Sequence, residues 1–158
     1  PRERLGDWGD ALYHKGRLGR KTGHGHYIYD AETPKGRPDP EVEEIIAAER
    51  ASKGITPRAF TDAEIVERYM AAMINEGAKV VGEGIALRPL DVDVTKLYGY
   101  GFPRFRGGPM QYADEIGLDT VLATITEQAK TDDFFWQPAP LLQQLVAEGR
   151  KFSSLNQG

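Results

Sequence analysis

The sequence predicts an all-α domain of four or five helices with an irregular N-terminal arm. Three observations support this prediction. A capping box opens one long amphipathic pattern, an Asp-Pro pair opens a shorter one before it, and two further helical patterns follow residue 114. Such helices are stable when their apolar faces pack on one another. The 158 residues suffice for one domain of this kind and an arm.

The first 38 residues show little helical periodicity. Asp10 is a candidate cap for one short helical turn. The stretch GRLGRKTGHGHYIYD, residues 16–30, begins glycine-rich and basic and ends with alternating aromatics, which predicts a tight turn and a short β-like segment. Residues 31–38 contain proline and glycine and predict a loop.

Asp39 and Pro40 predict the start of the first clear helix. Asp39 is a good N-cap, and proline suits the first helical position because its missing N–H is not needed there. Gly54 predicts the end. The apolar side of this helix consists of Val42, Ile45, Ile46 and Ala48.

The strongest helical signal starts at Thr61. Thr61 and Glu64 form a capping box, and Phe60 and Ile65 occupy the positions of a hydrophobic staple. Apolar residues then recur with helical spacing at Ile65, Val66, Tyr69, Met70, Met73, Ile74, Val80 and Val81. The helix is expected to end near Gly82 or Gly84, and Asp91 or Asp93 is expected to cap one short helix after it.

The stretch YGYGFPRFRGGPMQYAD, residues 98–114, mixes glycine, proline, arginine and aromatic residues. Glycine permits positive φ and proline fixes φ, so this mixture predicts a corner whose aromatics cover helix ends. Two helical patterns follow. The first, at 118–130, has Asp119 as its expected cap, and the second, at 138–149, has Pro138 near its start.

Composition and charge exclude several functional classes. The formal charge of −4 argues against a nucleic-acid-binding protein, although a local basic patch remains compatible with it. The sequence has no cysteine, which rules out disulfides, thiolate metal sites and a cysteine nucleophile. Its apolar runs are much shorter than the roughly 20 residues of a membrane span, so no membrane association is expected.

The motifs do not assemble into a catalytic or metal site. Arg20 stands where a phosphate-binding P-loop requires its second glycine. His24 and His26 share a face only if the segment is a strand, and a third metal ligand is missing, so no metal site is predicted. Asn75 and the glutamates at 76 and 83 either orient a ligand or, more commonly, face solvent or bond a neighbouring loop.

Four stretches resemble one enzyme family. GRLGRKTGHGHYIYD resembles the segment that closes the first C-terminal helical unit of 3-hydroxyacyl-CoA dehydrogenases, where the pattern reads G-x-x-x-x-K-T-G-x-G-[FWY]-Y. Residues 74–93, 99–114 and 134–152 resemble the last helical unit of the multifunctional fatty-acid oxidation enzymes of that family: INEGAKVVGEGIALRPLDVD, GYGFPRFRGGPMQYAD and FFWQPAPLLQQLVAEGRKF. The resemblance covers nearly the whole chain in order.

The resemblance implies a larger parent enzyme. Such a parent has an enoyl-CoA hydratase domain, an NAD-binding Rossmann domain and two related helical units. Residues 1–38 would be the end of the first unit plus a linker, and residues 39–158 the second unit. No catalytic or cofactor-binding residue of the family carries over to this chain, so NAD would bind a domain absent here. Arg20, Lys21, Arg104 and Arg106 are the candidates for contact with the CoA phosphates of the acyl-CoA substrate.

Three further expectations concern partners and location. The long helix from Thr61 would expose an apolar face that the missing first unit covers in the parent, so a homo-oligomer is expected. The chain starts at Pro1 and reads as a piece of a longer protein, and its last residues differ from a Ser-Lys-Leu peroxisomal tail, which favours a bacterial cytoplasm. The alternative function is a free-standing helical interaction module that binds an anionic ligand.

Overall fold

The structure is a computed structural model that describes residues 6–157. These residues form seven α-helices and three short 3₁₀ turns and contain no strand. The helices are α1 (Trp8–His14), α2 (Pro40–Ser52), α3 (Asp62–Gly82), α4 (Pro89–Gly99), α5 (Pro109–Ile116), α6 (Leu118–Ala129) and α7 (Pro140–Ala147). The turns span Arg20–Thr22, Arg104–Arg106 and Phe152–Leu155. The all-α prediction is confirmed.

The chain divides into two compact units, Pro1–Ala59 and Phe60–Gly158. The first contains α1 and α2, and the second contains α3 to α7. Helix α2, which the sequence placed at the start of the second dehydrogenase unit, therefore lies in the first compact unit. The assignment of residues 1–38 and 39–158 to two dehydrogenase units remains a prediction.

The first unit is organised around the buried guanidinium of Arg17. It donates hydrogen bonds to the Gly25 carbonyl at 3.1 Å, to Glu41 at 2.7 Å and to Asp39. Asp39 also accepts the Glu41 N–H at 3.0 Å, which confirms it as the N-cap of α2. The hydrogen bond from Arg17 lowers the pKa of Asp39. The predicted β-like segment consists of isolated bridges that join residues 19, 24, 28 and 37.

Helix α3 is the central element of the second unit. Thr61 accepts the Glu64 N–H at 3.2 Å, as the capping box predicts. The C-terminal two thirds of α3 buries one face, and α3 packs against α4, α5, α6 and α7. The buried cluster consists of Met70, Ala71, Ile74, Ala78, Phe102, Met110, Ala113, Leu118, Val121, Ile125, Trp136, Ala139, Leu142, Leu145 and Phe152.

Four helices of the second unit, α4 to α7, begin without a side-chain cap from the preceding residue, and at α5 and α7 a distant side chain binds the backbone at the helix start. The carboxylate of Asp93, in α4, accepts the N–H groups of Met110 and Gln111 at 2.7 and 3.1 Å. Asn75, in α3, accepts the Ala139 N–H at 2.8 Å and donates to the Gln137 carbonyl at 2.9 Å. Buried N–H groups at a helix start need such partners.

A third long-range contact fixes the C-terminal turn. Asp114, in α5, is buried and accepts the N–H groups of Phe152 and Ser153 at 2.7 and 2.9 Å. This places the fully buried Phe152 ring in the core. Asn75, Asp93 and Asp114 are hereafter called the three capping residues.

The sequence assigned three helix caps to the wrong residue. Helix α1 starts at Trp8 after Asp7, and Asp10 lies in its first turn. Helix α4 starts at Pro89 after Arg88, so neither Asp91 nor Asp93 is its cap; Asp91 instead forms an ion pair with Arg88 at 2.8 Å. The residue before α6 is Gly117 and not Asp119, which lies in the first turn. Helix α7 starts at Pro140, two residues after Pro138, which the sequence placed near its start.

We expect Asn75→Ala to lower the free energy of unfolding of the second unit by about 2–4 kcal/mol. The substitution leaves the Ala139 N–H and the Gln137 carbonyl without their side-chain partner, and each buried polar group left unpaired costs about 1–3 kcal/mol. Urea unfolding followed by far-ultraviolet circular dichroism measures the change. The neighbouring exposed residue provides the control, since Glu76→Ala should change it by under about 0.5 kcal/mol. Equal effects of the two variants would contradict the capping role of Asn75.

Candidate functional site

An exposed apolar surface lies on the N-terminal part of the second unit. Phe60, Ile65, Val66 and Tyr69 are between 47% and 63% exposed. Ile65, Val66 and Tyr69 lie in the first turns of α3, and Phe60 lies two residues before its start; the turns that the core covers follow them. These four residues are called the α3 face. Contiguous exposed apolar surfaces of this kind mark interaction sites.

A corner between α4 and α5, residues 100–108, borders this surface. Its 3₁₀ turn Arg104–Arg106 is followed by Gly107 and Gly108, both with positive φ. A Cβ on Gly108 would lie 2.3 Å from Oδ1 of Asp93, so only glycine lets this carboxylate reach the start of α5. The geometry of the corner therefore depends on Gly108 and Asp93 together.

The corner region presents cations stacked on aromatic rings. The Nζ of Lys96 lies 4.8 Å from the centre of the Tyr100 ring. The Cζ of Arg106 lies 5.0 Å from the Tyr112 ring and 5.4 Å from the Phe105 ring. The Cζ of Arg104 lies 5.4 Å from the ring of Tyr98. These contacts hold the cations against apolar surface by cation–π attraction.

A cavity of about 500 Å³ opens between α3, α4 and the corner, and it is called the corner cavity. The two cations Lys96 and Arg106 line it. Its other lining residues are Val66, Tyr69, Met70, Met73, Tyr100, Gly101, Phe102, Pro103, Phe105 and Tyr112. The lining is suited to binding an apolar group beside an anion, and it supplies no nucleophile and base pair for covalent chemistry.

The four predicted CoA-contact residues form two pairs, one in each compact unit. Arg20 and Lys21 lie exposed in the 3₁₀ turn of the first unit, where the Cζ of Arg20 stacks 5.5 Å from the Tyr29 ring. Arg104 and Arg106 lie exposed in the corner of the second unit. No carboxylate within residues 6–157 forms an ion pair with any of the four.

The other candidate residues have structural contacts. The ring of His26 packs edge-on against Trp8 at 4.8 Å, and Nδ1 of His24 lies 3.9 Å from Asp39. Within residues 6–157, no group of three or more metal-ligating side chains comes together. Asn75 is buried and used as a capping residue, whereas the neighbouring Glu76 is exposed.

Sequence reasoning did not identify Lys96 as part of this site. Lys96 lies one helical turn before Tyr100, and the i, i+4 spacing of a cation and an aromatic is the local signal that points to their stacking. The cavity itself has no sequence signal, because α3, α4 and the corner meet only through tertiary packing.

The pKa of Asp93, beside the corner, is shifted by its surroundings. Its pKa is raised from 3.8 to about 6, mainly by burial and to a smaller extent by the nearby negative charge of Asp114. The hydrogen bonds from Met110 and Gln111 lower the pKa but do not offset the burial. Asp93 therefore takes up a proton more readily in the folded chain than in the unfolded one.

None of the helices within the described part of the chain is long and apolar enough to cross a membrane.

Comparison with known proteins identifies related sequences. A family model described as the C-terminal domain of 3-hydroxyacyl-CoA dehydrogenase matches residues 65–158. The peroxisomal bifunctional enzyme of Danio rerio is 44% identical over 143 residues, which cover 89% of this chain and 20% of the relative. The glyoxysomal fatty acid beta-oxidation multifunctional protein MFP-a of Brassica napus is 33% identical over 142 residues, covering 87% of this chain and 19% of the relative. The chain thus spans about a fifth of the length of these relatives.

A solved structure has a similar fold. It is the dehydrogenase part of multifunctional enzyme 1 from C. elegans, with a TM-score of 0.64 over 90% of this chain and 33% of the other. At 23% identity this likeness supports the fold alone.

The comparisons correct the predicted location. A bacterial cytoplasm was expected, but the relatives from Danio rerio and Brassica napus are named peroxisomal and glyoxysomal, so this prediction is wrong. A bacterial relative, the fatty acid oxidation complex subunit alpha of Shewanella amazonensis, also matches at 37% identity over 90% of this chain and 20% of the relative. The prediction rested on the last few residues alone, whereas the similarity to the peroxisomal and glyoxysomal relatives extends over most of the chain.

We expect Asp93 to make the second unit less stable as the pH rises from about 4 to about 7. The folded pKa of about 6 exceeds the unfolded value of 3.8, so the folded state binds a proton at Asp93 more tightly than the unfolded state does. This binding contributes to the free energy of unfolding at low pH, and the contribution is lost as the pH rises through about 6. The two pKa values differ by about 2 units, which corresponds to at most about 3 kcal/mol.

The test is urea unfolding of the wild type and Asp93→Asn at pH 4.5 and pH 7.5, both chosen to lie about 1.5 units either side of the pKa. The free energy of unfolding of the wild type, relative to that of the variant, should be larger at about pH 4.5 than at about pH 7.5, because asparagine does not titrate. Parallel pH dependence in the two proteins would show that Asp93 does not titrate in this range.

Proposed function

Because the chain belongs to the family of 3-hydroxyacyl-CoA dehydrogenase C-terminal domains, we propose that it is the C-terminal helical part of a multifunctional β-oxidation enzyme. The proposed parent hydrates 2-enoyl-CoA and oxidises the resulting 3-hydroxyacyl-CoA with NAD as hydride acceptor. The observation that carries the proposal is 44% identity, sustained over 143 residues, to a peroxisomal bifunctional enzyme.

The proposed role of this part is structural. Residues 6–157 contain no strand that leads into a glycine-rich helix start, which is the cradle that a dinucleotide requires. These residues therefore do not fit NAD, and we assign NAD to another part of the parent. The helical unit would support the substrate cleft as a wall and as a packing surface.

The α3 face is the proposed packing surface. Its four apolar side chains lie on and beside the helix that carries the unit's core, so a second helical unit that covers them would extend that core. In the parent the cover would be the related helical unit. In the isolated chain, a second copy would replace it and produce a homo-oligomer.

The four exposed basic residues Arg20, Lys21, Arg104 and Arg106 are proposed contacts for CoA phosphates. Two observations support this proposal: the four side chains are exposed, and no carboxylate within the described residues forms an ion pair with them. Arginine suits this task because its fork-shaped guanidinium binds phosphate oxygens in pairs. In the full-length parent, Arg104→Met with Arg106→Met should raise the KM for acyl-CoA with kcat unchanged, whereas an unchanged KM would remove these two residues from the proposal.

We expect the full-length polypeptide that contains this segment to form NADH from NAD and a 3-hydroxyacyl-CoA. The segment by itself, at the same concentration, should form NADH no faster than buffer, because it carries none of the family's catalytic residues. The absorbance of NADH measures both rates. A full-length protein without this activity would refute the proposed parent, and an active isolated segment would refute the structural role.

We expect the isolated chain to self-associate at tens of micromolar, roughly the range of micromolar affinities. Ile65→Ser with Tyr69→Ser should weaken the association at least about tenfold, since polar groups then occupy the α3 face. Sedimentation velocity measures the oligomeric state. Leu87→Ser is the matched control, because Leu87 is 87% exposed but follows the opposite end of α3. A monomeric wild type would contradict the packing role.

A further inference from the structure

The corner cavity has the size and the lining of a small-molecule site. Its volume of about 500 Å³ falls within the roughly 300–1,000 Å³ of known ligand pockets. Met70 and Met73 form part of its apolar wall, and their flexible thioethers adapt to ligands of irregular shape. Phe102 contributes a buried aromatic ring to the same wall.

The two cations of the cavity have no carboxylate partner. Among residues 6–157 no Asp or Glu forms an ion pair with Lys96 or Arg106, and no Asp or Glu lines the cavity. Their contacts are with the rings of Tyr100, Phe105 and Tyr112. In a chain with 24 acidic residues against 20 basic ones, two unpaired cations beside an apolar wall give the cavity a charge that favours anions.

We propose that the corner cavity binds a single-chain amphipathic anion. The apolar chain would lie against Met70, Met73 and Phe102, and the carboxylate or phosphate head would meet Lys96 and Arg106. Hydrogen bonds between an ionised head and these cations are about twice as strong as those between neutral groups.

The dimensions of the cavity suit an alkyl chain. Its volume of about 500 Å³ lies between α3, α4 and the corner, and its wall is mainly apolar. An acidic helix of a partner protein, which would dock through one face only, is the competing occupant, and the titration below includes it.

This inference does not depend on the identity of the parent enzyme, although Arg106 is also one of the proposed contacts for CoA phosphates. The cavity and the α3 face share Val66 and Tyr69, so self-association must be separated from ligand binding. Ile65 does not line the cavity, and the test therefore uses the Ile65→Ser chain at a concentration where sedimentation shows a monomer. Failure of the parent enzyme assay would leave this test unaffected.

The three methionines of the chain provide a site-specific readout. Met70 and Met73 line the cavity, whereas Met110 is 1% exposed in the core and does not line it. With ¹³C-labelled methionine methyl groups, nuclear magnetic resonance follows all three during titration with decanoate, decyl phosphate, decyl maltoside or decyltrimethylammonium, each below its micelle concentration.

We expect at least one of the two anions to shift the Met70 and Met73 signals and to leave Met110 unchanged. That anion should bind at least about tenfold more tightly than the decyl cation, and the tighter anion identifies a carboxylate or a phosphate as the preferred head group. Lys96→Leu with Arg106→Leu should remove the preference for anions and leave the neutral maltoside unaffected. Lys130→Leu, which removes an exposed lysine outside the cavity, should preserve the preference.

Four results would overturn the proposal. Equal binding of the anions and the cation would show an unselective apolar surface. Simultaneous shifts of Met110 would show that the ligands unfold the core. No shift at Met70 and Met73 with either anion would show that the cavity does not bind such molecules. Shifts produced by an acidic amphipathic peptide, but by neither alkyl anion, would identify a protein partner instead.

Discussion

The second unit depends on buried polar side chains that cap distant helix starts. Asn75, Asp93 and Asp114 each hold backbone groups of a later segment, at distances of 2.7 to 3.1 Å. A buried N–H group without a partner is costly, so these contacts determine where α5, α7 and the C-terminal turn attach. The apolar core then fills the space between elements whose positions the caps have fixed.

This arrangement also determines the candidate site. Asp93 holds the start of α5, and Gly108 leaves room for its carboxylate, so the corner between them is set by one tertiary contact. The corner in turn brings Arg106 to the cavity that Lys96 and α3 line. The buried carboxylate of Asp93, with a pKa of about 6, therefore holds in place a corner that presents the positive charge of Arg106.

The family and the geometry support the proposal that this part packs against other parts of a larger enzyme. The chain belongs to the C-terminal domain family of 3-hydroxyacyl-CoA dehydrogenases and spans about a fifth of its curated relatives. Its described surface offers an apolar helix face and a cation-lined cavity, which are features for packing and binding. The α3 face and the corner cavity share Val66 and Tyr69, so a partner or ligand bound at one would affect binding at the other.

The sequence by itself determined the helical class, the caps Asp39 and Thr61, and the family. These features depend on neighbouring residues or on long quoted motifs, which a single sequence displays. Only the tertiary structure decided that Asp93 caps α5 rather than its own helix, that Arg17 is buried against Asp39, and that Lys96 meets Arg106 at one cavity. The physical reason is that each of these side chains acts on groups remote in sequence, and burial selects its partner only after the helices have packed.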